Sequence, residues 1–86
     1  METKLENCKI DLGYSRSATV TIGRNCYVKI EFFNDKDGMT SIDLSENPDL
    51  IFEAVCLLKD KYPDYEPKCP VGQGRKYVTY YFKRIL

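Results

Sequence analysis

The residues best suited to chemistry stand together near the end of the chain, in Arg75-Lys76-Tyr77-Val78-Thr79-Tyr80-Tyr81-Phe82-Lys83-Arg84. Rings on a strand can stack bases while cations follow the phosphates, so single-stranded nucleic acid is one candidate ligand for Arg75, Lys76, Tyr77, Tyr81, Lys83 and Arg84. Tyrosine and arginine are equally the favoured anchors of protein–protein interfaces. The order of residues does not follow the RNP1 signature of RNA-recognition motifs, which requires an early glycine and small residues between the rings.

A second group is acidic. Asp43, Glu46, Asp49 and Glu53 gather around the start of an expected helix, with Asp60, Asp64 and Glu66 beyond its end. Acids in a first helical turn are favoured by the helix dipole without any partner. The functional alternative is a local acidic face that docks on a basic surface.

The inventory for catalysis is poor. The chain has no histidine, so no side chain titrates near neutrality unless its environment shifts it. Its four cysteines, Cys8, Cys26, Cys56 and Cys69, form no CxxC pair, which argues against a zinc site. Cys69, between Lys68 and Pro70, is the thiol whose neighbours most favour thiolate, yet an inert role is the expectation. Asp35-Lys36-Asp37-Gly38 has part of the composition of a calcium loop. With Gly38 at loop position 6, however, Phe33 and Leu44 fall where oxygen ligands are required. Gly72-Gln73-Gly74-Arg75-Lys76 lacks phosphate-loop spacing and leads toward a strand, so a flexible solvated loop is expected. No enzyme activity, metal or cofactor is expected.

The elements that position these groups follow from periodicity. Cys8, Ile10 and Leu12 alternate with Lys9 and Asp11, and Ala18, Val20 and Ile22 alternate with Thr19 and Thr21. Gly13 to Ser17 turns the chain between them. Gly23-Arg24-Asn25 is a tight connection, with Gly23 and Asn25 the residues tolerant of positive φ. Cys26, Val28, Ile30 and Phe32 then mark the inner face of a third strand. The Asp37-Gly38 pair signals a hairpin into a fourth strand bearing Thr40, Ile42 and Leu44. Asn47-Pro48-Asp49 reads as a helix N-cap, first-turn proline and dipole-favoured acid, with Ser45 as a second candidate cap. Ile51, Ala54, Val55, Leu58 and Tyr62 form a helical stripe that Phe52, Cys56 and Leu57 widen beyond one face. Such a helix is either buried on most sides or met by another chain.

Pro63, Pro67 and Pro70 suggest an extended or looping connector over 63–71. The final segment, 76–86, reads as a strand aromatic on both faces, which is either central in a sheet or half-covered by a partner. The expected fold is α+β: one domain spanning 1–86, an antiparallel meander of about four strands, one helix packed on it and a returning C-terminal strand.

Composition bounds the rest. At 86 residues, 43% apolar and 30% charged, the chain can bury one core. No stretch approaches the roughly 20 apolar residues of a membrane-spanning helix. The amino-terminal Met1-Glu2-Thr3-Lys4-Leu5-Glu6-Asn7 lacks the apolar run of a secretory signal, so a cytoplasmic location is expected. The formal charge of zero hides segments of +2 (1–30), −7 (31–66) and +5 (67–86). Such asymmetry bears on partners rather than fold. The leading expectation is a stand-alone protein-binding module that sterically blocks a charged functional surface of a larger protein. Small inhibitors carried by phages and other mobile elements, anti-defence and immunity proteins among them, share this general profile. The alternative is a single-stranded nucleic-acid binder using the last strand, and the third reading is a homo-oligomer.

Overall fold

The computed structural model describes residues 4–36 and 38–85. Met1–Thr3 of the segment read for a signal, Asp37 of the expected Asp-Gly turn and Leu86 at the chain end lie outside the described residues. The elements run β1 (Cys8–Gly13), β2 (Arg16–Ile22), a 3₁₀ turn (Arg24–Cys26), β3 (Tyr27–Asn34), β4 (Thr40–Ser41), α1 (Asp49–Lys61), β5 (Tyr65–Gln73) and β6 (Tyr77–Arg84). All strand pairings are antiparallel, in the order β1-β2-β3-β6-β5, with β4 also paired to β3. The fold is α+β, one six-stranded sheet and one helix, and no helix among the described residues is long and apolar enough to cross a membrane.

The first hairpin closes as its sequence suggests, with Gly13, Tyr14 and Ser15 at φ of +79°, +55° and +60°. Left-handed residues are what the right-handed twist of two-residue hairpins demands. In the next connection positive φ falls on Asn25 and Cys26 rather than on Gly23 and Asn25. Cys26 thereby belongs to the 3₁₀ turn, and β3 begins at Tyr27.

Two elements depart from expectation. The fourth strand shrinks to Thr40–Ser41 because β3 has only one free edge and two claimants. β6 takes that edge from Tyr27 to Glu31, and β4 takes it at Phe33 and Asn34. Phe32 marks the handover: its N–H donates to the Lys76 carbonyl (3.4 Å) and its carbonyl accepts from Ile42 N–H (3.0 Å). Of the two forms expected for the connector, extended or looping, most of it takes the extended one and pairs into the sheet as β5, a nine-residue edge strand containing Pro67 and Pro70. Proline cannot donate a ladder hydrogen bond, so a strand tolerates it at an edge or a bulge. Both conditions are met, since the β5–β6 register is interrupted between Pro67 and Cys69 and again between Pro70 and Gly72.

The core lies between one sheet face and α1. Ile10, Leu12, Ala18, Val20, Val28, Ile30, Phe32, Val78 and Phe82 come from the strands, and Leu50, Ala54 and Leu58 from the helix. Leu50 and Leu58, almost completely buried, contribute about 2 kcal/mol each by the area they remove from water. Tyr62 is 4% exposed and donates its hydroxyl to the Glu6 carbonyl at 3.3 Å. The buried stripe is therefore centred on Leu50, Ala54 and Leu58, with Ile51 and Val55 at its margin. Phe52, Cys56 and Leu57 stay outside, because a single sheet covers one side of a helix only. The N-cap is Pro48 and receives no side-chain hydrogen bond; Asn47 instead donates its Nδ2 to the Asp43 carbonyl at 3.1 Å, and Ser45 bonds Asp43.

Candidate functional site

Strand alternation sends every second residue to the sheet face that α1 does not cover. On β6 these are Tyr77, Thr79, Tyr81 and Lys83, while Val78, Tyr80 and Phe82 face the helix side. Register then adds residues from β3: Tyr27 stands opposite Tyr81, Lys29 opposite Thr79, and Glu31 opposite Tyr77. The Tyr27 and Tyr81 rings meet edge to face, with centroids 5.8 Å apart and planes at 79°. Lys29 Nζ lies 5.0 Å from the centre of the Tyr77 ring and 3.8 Å from Glu31 Oε1. Tyr77 and Tyr81, four residues apart on one strand, are separated by about 13 Å. The result is a pair of aromatic footholds with Lys29 and Thr79 between them. Tyr27 and Tyr77 are 43% and 38% exposed, far more than the rings of a packed core.

The hairpin leading into β6 holds Tyr77 in place. Gly74 N–H donates to the Tyr77 carbonyl at 3.0 Å, and the Tyr77 ring lies where a side chain at Gly74 would stand. The Arg75 carbonyl accepts from Leu44 N–H at 2.6 Å. The segment expected as a flexible loop is thus a closed turn tied to the 43–45 segment. It ends as a hairpin rather than at a helix N-terminus.

The remaining candidates on this strand scatter. Arg75 and Lys76 occupy the turn, and Arg84 has the alternation of Phe82, opposite to that of Tyr81 and Lys83. The acidic group divides as well. Glu46, Asp49 and Glu53 line a depression of about 220 Å³ with Arg16, whose guanidinium is 3.8 Å from Glu53. Asp43 lies apart, 3.6 Å from Arg75 Nε. Ser45 donates its N–H (2.9 Å) and its hydroxyl (2.7 Å) to Asp43 Oδ1. These Ser45 bonds, followed by the charges of Arg75 and Lys76, hold the Asp43 carboxyl below the usual carboxylate range. The expected separation of acidic and basic patches is therefore broken at two points, Arg16–Glu53 and Arg75–Asp43.

Charge on the uncovered face is nearly balanced: Lys9, Lys29 and Lys83 alternate onto it with Asp11, Glu31 and Glu66, and Lys68 Nζ reaches within 3.4 Å of Glu66 Oε2. At its β1 end a concavity of about 470 Å³ is lined by Lys9, Asp11, Tyr14, Ser15, Ser17 and Asp35. Ser17, 2% exposed, donates to Asp35 there at 3.1 Å. Cys69 is exposed on β5 opposite Tyr81. Among the described residues no group of three or more Cys, Asp or Glu is placed to hold a metal ion.

Sequence reasoning missed Tyr27 and Lys29 as members of this site. Their alternation marks them as outward on β3, but only the β3–β6 pairing puts them beside Tyr81 and Tyr77. The site belongs to a small α+β domain with one sheet face covered by a helix and the other bare. No protein-family model matches the chain, and neither a curated protein nor a solved structure matches it.

Proposed function

We propose that this protein is a non-enzymatic protein-binding module that docks on a larger protein through its bare sheet face and acts by occluding the surface it covers. The observation that supports this most is the Tyr27–Tyr81 pair, with Tyr77 and Lys29 beside it, on a rigid sheet. Rings already held by strands lose little freedom on binding, which is why aromatic anchors give affinity cheaply. The working surface in this reading is Tyr27, Lys29, Tyr77, Tyr81 and Lys83. The acidic group around Glu46, Asp49 and Glu53 has a lesser part, because it presents no aromatic anchor and Arg16 already pairs with Glu53 there. A role as an inhibitor or regulator, of the kind found in anti-defence and immunity proteins, fits a small domain that presents aromatic anchors on an open sheet face.

The competing reading is a single-stranded nucleic-acid binder on the same rings. Such binders draw most of their affinity from phosphate neutralisation. Lys9, Lys29, Lys68 and Lys83 are largely offset on this face by Asp11, Glu31 and Glu66, which favours a protein partner over a polyanion.

A tagged pull-down from native lysate, divided with and without nuclease, tests the choice. One dominant protein that survives nuclease and is lost from the Tyr27→Ala, Tyr81→Ala double variant supports the proposal. Nucleic acid retained by the intact protein and released by the same variant overturns it in favour of the competing reading. A partner retained equally by the variant shows that the bare face is the wrong surface.

A further inference from the structure

The outer face of α1 carries a feature that the bare sheet face does not use. With Leu50, Ala54 and Leu58 turned to the core, a rotation of about 100° per residue places Cys56 on the opposite side of the helix. Phe52, 73% exposed, stands one turn before it, while Leu57, 41% exposed, lies at the flank between this face and the buried stripe. An apolar centre of this kind on a formed helix faces water at a cost.

Charge along the helix is polarised. Asp49 and Glu53 lie in its first half, and Lys59 and Lys61 in its last turn, with Asp60 between them. Reversed end to end, the helix is its own electrostatic complement. An antiparallel copy sets Glu53 of each chain, whose half-exposed carboxylate also lies 3.8 Å from its own Arg16, near Lys59 of the other, and the opposed dipoles add to the attraction. A parallel copy would set acids against acids.

We propose that two copies of this chain associate through the outer face of α1, antiparallel, about a two-fold axis near Cys56. A two-fold contact is self-complementary, so each favourable charge pair occurs twice. Phe52 of both chains flanks the axis. The 13-residue helix is only about 20 Å long. Its seam is smaller than a standard stable interface, so the dimer exchanges with monomer. The bare sheet face lies on the opposite side of the domain and stays open in such a dimer, so this inference is independent of the proposed partner.

Sedimentation velocity of the full chain over a concentration series, at low and high ionic strength, tests it. The expected result is a dimer whose population rises with concentration and falls with added salt. Phe52→Glu, at an exposed position, should keep the native circular dichroism spectrum and weaken association at least about tenfold. Glu53→Lys and Lys59→Glu should each weaken it, and the two together should restore it, which a merely structural effect would not do. A short bis-maleimide should link chains through Cys56, with the product lost in Cys56→Ser. A chain that stays monomeric throughout, a dimer that survives Phe52→Glu, or a charge-swapped double variant as weak as the single ones would each overturn the proposal.

Discussion

Arg75 Nε lies 3.6 Å from Asp43 Oδ2, joining the basic end of the chain to its acidic middle. The same two segments are joined through the main chain, by the Leu44 N–H to Arg75 carbonyl bond of 2.6 Å. The charges that look segregated along the sequence therefore interleave in space. What remains distinctive is the bare sheet face, where rings rather than charge dominate.

Tyr81→Ala and Tyr27→Ala should each remove one half of the edge-to-face pair. A loss of stability near 1 kcal/mol is expected from such a surface pair. Partner affinity should fall by about 2 kcal/mol or more, roughly 30-fold, as at other aromatic hot spots. Thermal melts and a titration against the captured partner check the two effects separately.

Gly74→Ala should act on Tyr77 at a distance of three residues. A Cβ at Gly74 would collide with the Tyr77 ring, whereas one at Gly72 meets nothing within 4 Å. The ring must move, so the ring-current shift of the Lys29 methylenes in proton NMR should change in Gly74→Ala and persist in Gly72→Ala. Partner affinity should drop several-fold in the former, about 1 kcal/mol.

Tyr62 links the helix end to the amino-terminal segment, and burial, followed by its contact with Cys8, raises its pKa above the ordinary phenol value. The folded state thus holds this proton more tightly than the unfolded chain does. The stabilisation is complete below the ordinary value of about 10 and is lost as pH rises through the folded value. Tyr62→Phe should cost about 1 kcal/mol at neutral pH by loss of the bond to Glu6. It should also flatten the alkaline fall in stability, measured by denaturant melts between about pH 8 and about pH 11.

Asp43 gives the opposite sign. Its carboxyl is lowered mainly by Ser45 and secondarily by Arg75. Its contribution is present above the ordinary carboxylate value and is lost as pH falls through the lowered one. Asp43→Asn should flatten the acid limb of the stability profile. Arg75→Ala should change it much less, because the Ser45 hydrogen bonds remain; acid titration followed by circular dichroism distinguishes the two.

Much of this protein can be read locally. The inward sets Ile10–Leu12, Ala18–Val20 and Val28–Ile30–Phe32, the helix after Pro48 and the two faces of β6 all follow from alternation or helical spacing, which depend on nearest neighbours alone. Pro67 and Pro70 misled, because proline excludes a segment from a sheet interior but not from an edge with bulges. The 40–44 segment misled for a different reason: its pattern suits a strand, yet β6 had already taken most of the available edge of β3.

The sequence by itself determined which side chains each strand and helix would offer, because that is set by backbone periodicity. Tertiary structure decided which offers met. It placed β6 between β3 and β5, joined Tyr27 to Tyr81 and Lys29 to Tyr77, and left Phe52 in water. Strand neighbours distant in the chain are chosen by how well all the buried residues fit at once, a global condition that no local pattern records.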